Sequence, residues 1–138
     1  MKILLITSVS VITQNPQKGW GFFVEALGLP LQRDKSTDYL YSEQIEGSKH
    51  FGVWPLAEAA QACFGTRRWP PDRLIPQASI EFEVENAECV ASAAGELQSK
   101  GYAVLHGSRL EPWKQTIARL QTPEGMIIGI SYAPSLHK

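Results

Sequence analysis

The sequence predicts an α+β fold in which two tandem βαβββ modules form a curved mixed sheet, with helices outside and a central cleft. Three observations predict it. A β-branched strand followed by an Asn-capped, Gly-terminated amphipathic helix occurs twice. The copies keep register, with Ser8 and Ser79 standing 71 positions apart, as do Asn15 and Asn86. Strand-like runs separated by turn signals follow each helix.

Residues 3–13, ILLITSVSVIT, are β-branched and apolar and read as a strand. Asn15 then serves as an N-cap and Pro16 fits the first helical turn. Trp20, Phe23 and Leu27 recur at helical spacing and mark a buried stripe, and Gly28 ends the helix. In the second half, residues 78–85, ASIEFEVE, alternate as a strand. Asn86 caps a helix whose stripe is Val90, Ala94 and Leu97, and Gly101 ends it. Runs at 38–45 and 49–55 complete the first module, its second strand being poorly defined. Runs at 102–106, 115–120 and 126–132 complete the second. Glu46-Gly47-Ser48 and Pro123-Glu124-Gly125 supply turns. The chain thus reads as a single domain, 1–138, with module one at about 1–63 and module two at about 77–134. A linker at 64–76 contains Gly65, Pro70, Pro71 and Pro76.

The helix of such a module covers one face of its sheet only. Two modules side by side give a concave face, a natural ligand site. The sequence leaves open whether the modules pair within one chain or swap between two.

The 138 residues suffice for one hydrophobic core. A formal net charge of −1 gives no electrostatic reason to bind nucleic acid or an anionic membrane. Cys63 and Cys89 form no C-x-x-C spacing and read as reduced thiols of a cytoplasmic protein. Lys2 and the apolar residues 3–6 resemble a secretory leader, but Gln14, Asn15 and Pro16 follow instead of a small-residue cleavage site. The run is also too short to span a bilayer. Arg67-Arg68-Trp69-Pro70-Pro71-Asp72-Arg73 reads as a surface loop of the linker.

Strand alternation assigns faces. Val9, Val11, Ile80, Phe82, Val84, Ile128 and Ile130 are expected under the helices. The candidate ligand-binding residues on the cleft side are Ser8, Ser10, His50, Gly52, Trp54, Ser79, Glu81, Glu83, Trp113, Gln115, Arg119, Gly129 and Ser131. Trp54 and Trp113 would line the floor or wall as flat surfaces with N–H donors. Glycines 52 and 129 would leave room for an organic ligand. Arg119 is expected to pair with Glu81 or Glu83 across strands. His106 and His137 receive no role.

Phe22-Phe23-Val24-Glu25-Ala26-Leu27-Gly28-Leu29, Ile80-Glu81-Phe82-Glu83-Val84, Glu111-Pro112-Trp113-Lys114-Gln115-Thr116 and Pro123-Glu124-Gly125 occur in this order over nearly the whole chain. In this the sequence resembles the vicinal oxygen chelate superfamily of glyoxalases, bleomycin-resistance proteins and extradiol dioxygenases, and is most similar to the bleomycin-resistance-like members. The resemblance implies four metal-ligand positions, on the first and last strands of each module. They fall here on Ser8, Gly52, Ser79 and Gly129. Glycine has no donor atom, and a serine hydroxyl is a poor ligand for a divalent transition ion. The expectation is therefore no metal and no cofactor.

Three functions stay open. The first is a metal-independent binding protein for a small molecule, such as a drug or a cationic or aromatic ligand, with Glu81 and Glu83 favouring a cation. The second is a metal-dependent lyase or dioxygenase drawing ligands from His50, Glu43 and Glu83. The third is a non-catalytic structural or regulatory module. No nucleophile–base pair or phosphate-binding glycine loop indicates another enzyme class. The catalytic residues are unknown. By analogy with two-module relatives, a homodimer is expected.

Overall fold

A computed structural model describes residues 1–137. In the first module β1 is Leu5–Thr13, and α1, Pro16–Trp20, continues as a π-helical segment, Gly21–Ala26. Strands β2 (Gln32–Arg33), β3 (Leu40–Ser42) and β4 (Phe51–Pro55) follow, then helix α2, Leu56–Phe64. The second module comprises β5 (Ala78–Glu83), α3 (Ala87–Ser99), β6 (Val104–Leu110), β7 (Thr116–Gln121) and β8 (Ile127–Tyr132), closed by a 3-10 turn, Pro134–Leu136.

All eight strands form one sheet in the order β2-β3-β4-β1-β5-β8-β7-β6. Within each module the first strand runs parallel to the last, β1 beside β4 and β5 beside β8. The modules join within the chain through antiparallel β1 and β5. The internal repeat shows in the register: Ser10 lies opposite Gly52, and Glu81 lies opposite Gly129.

Both N-caps form as the sequence indicates. The Asn15 side-chain oxygen accepts from the Lys18 N–H at 3.1 Å, and that of Asn86 from the Cys89 N–H at 3.0 Å. Val90 and Ala94 of α3 are buried against Val84, Ala118 and Ile130 of the sheet side, and Leu97 packs on the same cluster. The stripe expected on the first helix needs correction. The Leu27 N–H bonds the Phe22 carbonyl, five residues back, at 2.9 Å. That wider turn shifts the helical phase, and Leu27 is left 55% exposed. Trp20, Phe23 and Val24 pack on Leu31, Leu40 and Val53 instead.

Helix α2 is a second correction, since the sequence reading assigned no element to residues 56–63 between the last strand of module one and the linker. Leu56, Ala59, Ala60 and Cys63 have amphipathic spacing, and Gly65 ends the helix in the left-handed region at φ 77°. It packs on the concave side of the sheet, where Ala59, Ala60 and Cys63 form a core with Ile12, Trp54, Ile127 and Trp69. Trp69 is only 7% exposed, and its indole donates to the Leu74 carbonyl at 3.0 Å. The segment expected to be a surface loop therefore anchors the concave core. Among the described residues no helix is long and apolar enough to cross a membrane.

Candidate functional site

The concave face that α2 leaves free is a cleft of about 400 Å³. Of the candidate residues, Ser8, Ser10, His50, Trp54, Glu81, Trp113, Gln115 and Arg119 line it. The other five lie on the predicted side of the sheet but beneath other groups. Over Gly52 the Tyr39 ring occupies the place of a side chain. A Cβ on Gly129 would stand 2.8 Å from Ile117 Cδ1 and 3.0 Å from Glu81 Cγ. The space expected at the two glycines is thus filled from neighbouring side chains. Ser79 and Ser131 are buried.

Glu83 is wholly buried, and it is tied into the structure rather than offered to a ligand. A bulge in β1 brings Thr7 against it, and the Thr7 hydroxyl donates to Glu83 Oε1 at 2.6 Å. The Ala133 N–H donates to Oε2 at 2.6 Å, and His137 Nε2 lies 3.4 Å from that oxygen. His137 so helps hold the C-terminal turn, whose Ser135 and Leu136 wall the cleft.

Two hydrogen-bonded chains converge on the cleft. In the second module Gln115 Nε2 donates to Glu81 Oε1 at 2.7 Å and to Ser131 Oγ at 2.8 Å, while its Oε1 accepts from the Trp113 indole at 2.7 Å. The amide is thereby fixed in orientation. Trp113 itself is 61% exposed at the mouth, not on the floor or wall as expected. It precedes β7 in a turn closed by the Glu111 and Gln115 backbones, so strand parity does not govern it.

In the first module His50 Nε2 lies 2.6 Å from Tyr39 Oη, and His50 Nδ1 lies 3.1 Å from Glu43 Oε2. The Tyr39, Tyr41 and His50 rings stand nearly parallel. Burial, with the Glu81 carboxylate second, raises the Tyr39 pKa well above its ordinary value, against a hydrogen bond from Ser10 that lowers it. Tyr39 is therefore a neutral hydroxyl at physiological pH. Tyr39 and Tyr41 were missed as site residues, and Glu43 was considered only as a metal ligand, although the three alternate along the 38–45 run. Pairing Tyr41 with Gly52 across β3 and β4 puts this run over the cleft.

Arg119 is 2% exposed and bonds neither Glu81 nor Glu83, contrary to expectation. Its Nη1 reaches His106 Nε2 at 3.1 Å and Glu111 Oε1 at 3.4 Å, and its guanidinium lies 5.6 Å over the Trp54 ring. His106 Nδ1 is 2.8 Å from the Gly107 carbonyl and must donate to it, leaving Nε2 to accept from Arg119. Burial lowers the His106 pKa, with the neighbouring Arg119 and Arg109 charges acting in the same direction.

A sequence profile of the Glyoxalase/Bleomycin resistance protein/Dioxygenase superfamily matches residues 5–130. The chain belongs to this superfamily. No curated relative matches it. Among solved structures, a superfamily member from Vibrio splendidus 12B01 is similar with a TM-score of 0.57 at 14% identity, covering 93% of this chain and 97% of that one. The Mn(II)-bound glyoxalase from Novosphingobium aromaticivorans gives 0.60 at 15% identity, over 94% of this chain and 38% of that one. The 2,2',3-trihydroxybiphenyl 1,2-dioxygenase from Sphingomonas wittichii strain RW1 gives 0.56 at 15%, over 93% and 42%. At these identities the likeness is one of fold.

The superfamily includes metal-binding members, so the donor set matters. The positions implied for a metal, Ser8, Gly52, Ser79 and Gly129, offer two hydroxyls and no imidazole or carboxylate. The alternative set of His50, Glu43 and Glu83 does not converge: Glu43 and His50 bond each other, whereas Glu83 is sealed against Thr7 and Ala133. Among the described residues no three His, Cys, Asp or Glu side chains are grouped to hold an ion. The residues present do not fit a superfamily metal centre.

Proposed function

We propose that this superfamily member binds a small, flat organic molecule in its cleft without a metal ion. One observation carries this reading: at the positions where a metal would be held, the cleft has glycines covered by Tyr39 and by Ile117 with Glu81. Rings then supply the recognition surface, with Tyr41, His50 and Trp54 inside and Trp113 at the mouth. Asp34, Glu43, Glu58 and Glu81 outnumber Lys114 and Arg119 around the cleft, so a neutral or cationic ligand is favoured over an anion.

The test is a panel of planar cations, planar neutral compounds and planar anions added to chelator-treated protein. Binders should quench tryptophan fluorescence and raise the melting temperature. Trp113→Ala should weaken binding by about 1 kcal/mol, the scale of one aromatic contact, while leaving stability within about 0.5 kcal/mol because the ring is exposed. Binding that requires added zinc, nickel, iron or manganese would defeat the reading, as would a stoichiometric metal in the purified protein. The homodimer belongs to the same proposal, and light scattering that shows only monomer at micromolar concentration counts against it.

A further inference from the structure

Among the described charged residues that line the cleft, Arg119 alone is buried. It is poorly supplied with negative charge. Its Nη1 meets Glu111 Oε1 at 3.4 Å, long for a hydrogen bond. That oxygen already accepts from Arg109 Nε at 2.8 Å and lies 2.7 Å from Arg109 Nη2. Two guanidiniums thus share one carboxylate, and Arg109 holds it more closely. The other neighbour, His106, offers Arg119 only a neutral ring nitrogen. Both contacts leave from Nη1, so neither engages the N–H groups on Nε and Nη2. A buried charge offset so weakly is costly until an anion pairs with it.

Glu81 is the matching opposite charge. Glu81 on β5 and Arg119 on β7 both pair with Gly129 of β8, so they share the concave face. Strands lie about 4.8 Å apart, which separates the two backbones by about 10 Å. The two side chains turn away from each other. Arg119 goes to His106 and the Trp54 ring, and Glu81 Oε1 accepts from Gln115. The surroundings keep the same polarity. Burial first and Glu81 second raise the Tyr39 pKa, with Glu43 and Glu58 adding to it. Burial lowers the His106 pKa, and Arg119 and Arg109 act in the same direction.

We infer that the cleft takes a flat zwitterion, with its carboxylate on the Arg119 guanidinium and its ammonium on the Glu81 carboxylate. This rests on the binding reading above and names the class of molecule. The ligand's own charges satisfy two protein charges that do not satisfy each other. A net charge of zero agrees with the surplus of carboxylates around the cleft, which disfavours a simple anion. The guanidinium fork matches a carboxylate in shape, and the Trp54 and Tyr41 rings supply flat surface between the poles.

The probe is 4-(aminomethyl)benzoate, titrated into chelator-treated full-length protein and followed by tryptophan fluorescence. Two relatives each lack one charge: 4-(aminomethyl)benzamide has the same shape without the anion, and 4-methylbenzoate lacks the ammonium. The zwitterion should bind at least about tenfold more tightly than either, the scale of one charge-assisted hydrogen bond. Arg119→Met should bring the ratio of zwitterion to carboxamide affinity close to one. Arg119→Lys, which keeps the charge without the planar fork, should give an intermediate ratio. Glu81→Gln, which can still accept from Gln115, should remove the preference over 4-methylbenzoate. Melting temperatures near that of the parent establish that the variants fold, and the three-ligand comparison in the parent needs no variant. Carboxamide binding with no preference for the zwitterion overturns this inference and leaves the binding reading standing. Binding of none of the three overturns both. A preference over the carboxamide that persists in Arg119→Met, or over 4-methylbenzoate in Glu81→Gln, overturns the assignment of that pole.

Discussion

The Tyr39 ring stands where a side chain on Gly52 would project, so the glycine is explained by a tyrosine 13 positions away. The relationship decides how the cleft is used. It converts what reads as an opening in the sequence into a fixed aromatic wall, with the phenol held by His50 at 2.6 Å. Gly52→Ala must therefore displace the ring. Overpacking of this kind costs about 1–3 kcal/mol, and denaturant unfolding should show a loss in that range. Gly129→Ala meets the movable δ-methyl of Ile117 first and should cost less.

The π-helical turn makes a second prediction. Leu27→Ser should change stability by less than about 0.5 kcal/mol, because that side chain is exposed. Phe23→Ala should cost about 2–3 kcal/mol, because Phe23 packs on the Leu31, Leu40 and Val53 core and against Phe51. Thermal melts of the pair measure it. Equal losses would mean that the helix keeps an ordinary α phase through Leu27.

His106 supplies a pH dependence. Its folded pKa is lowered below the ordinary 6.5, chiefly by burial. Between the folded and unfolded values the unfolded chain binds more protons, so folding stability rises with pH there. The contribution is fully present above the unfolded value and is lost as pH falls from about 6.5 toward the folded one. Stability measured from pH 7.5 down to pH 5 should fall less steeply in His106→Gln than in the parent. Identical slopes would count against a half-buried, neutral His106.

Cysteine reactivity is the fourth test. Burial pushes the Cys63 thiol up to about 11, against the opposing charge of Arg119, so little thiolate forms near neutrality. Iodoacetamide at pH 7.5 should modify the half-buried Cys89 well before Cys63, as read by peptide mass spectrometry. Labelling of Cys63 first would mean that α2 opens readily from the concave face.

The sequence by itself determined the repeated module, its caps and the faces of its strands. Those features rest on local rules: Asn15 and Asn86 cap whatever helix follows them, and alternation puts Ser8, Ser10, Glu81 and Arg119 on one side of any sheet. It also located Ser8, Gly52, Ser79 and Gly129, the positions that the resemblance implies for metal donors. Only the tertiary structure decided which cleft-side residues reach the cleft. Glu83 obeys the parity of Glu81, yet Thr7, Ala133 and His137 enclose it, because a bulge in β1 and a turn after β8 converge there. Helix α2 was legible in the spacing of Leu56, Ala59, Ala60 and Cys63, but nothing local says that it folds into the concave face. Tyr39 over Gly52 and Trp113 bound through Gln115 to Glu81 depend on strand pairing and turn geometry. Contacts of this kind join residues far apart in the chain, and side-chain periodicity, which has a range of a few residues, carries no information about them.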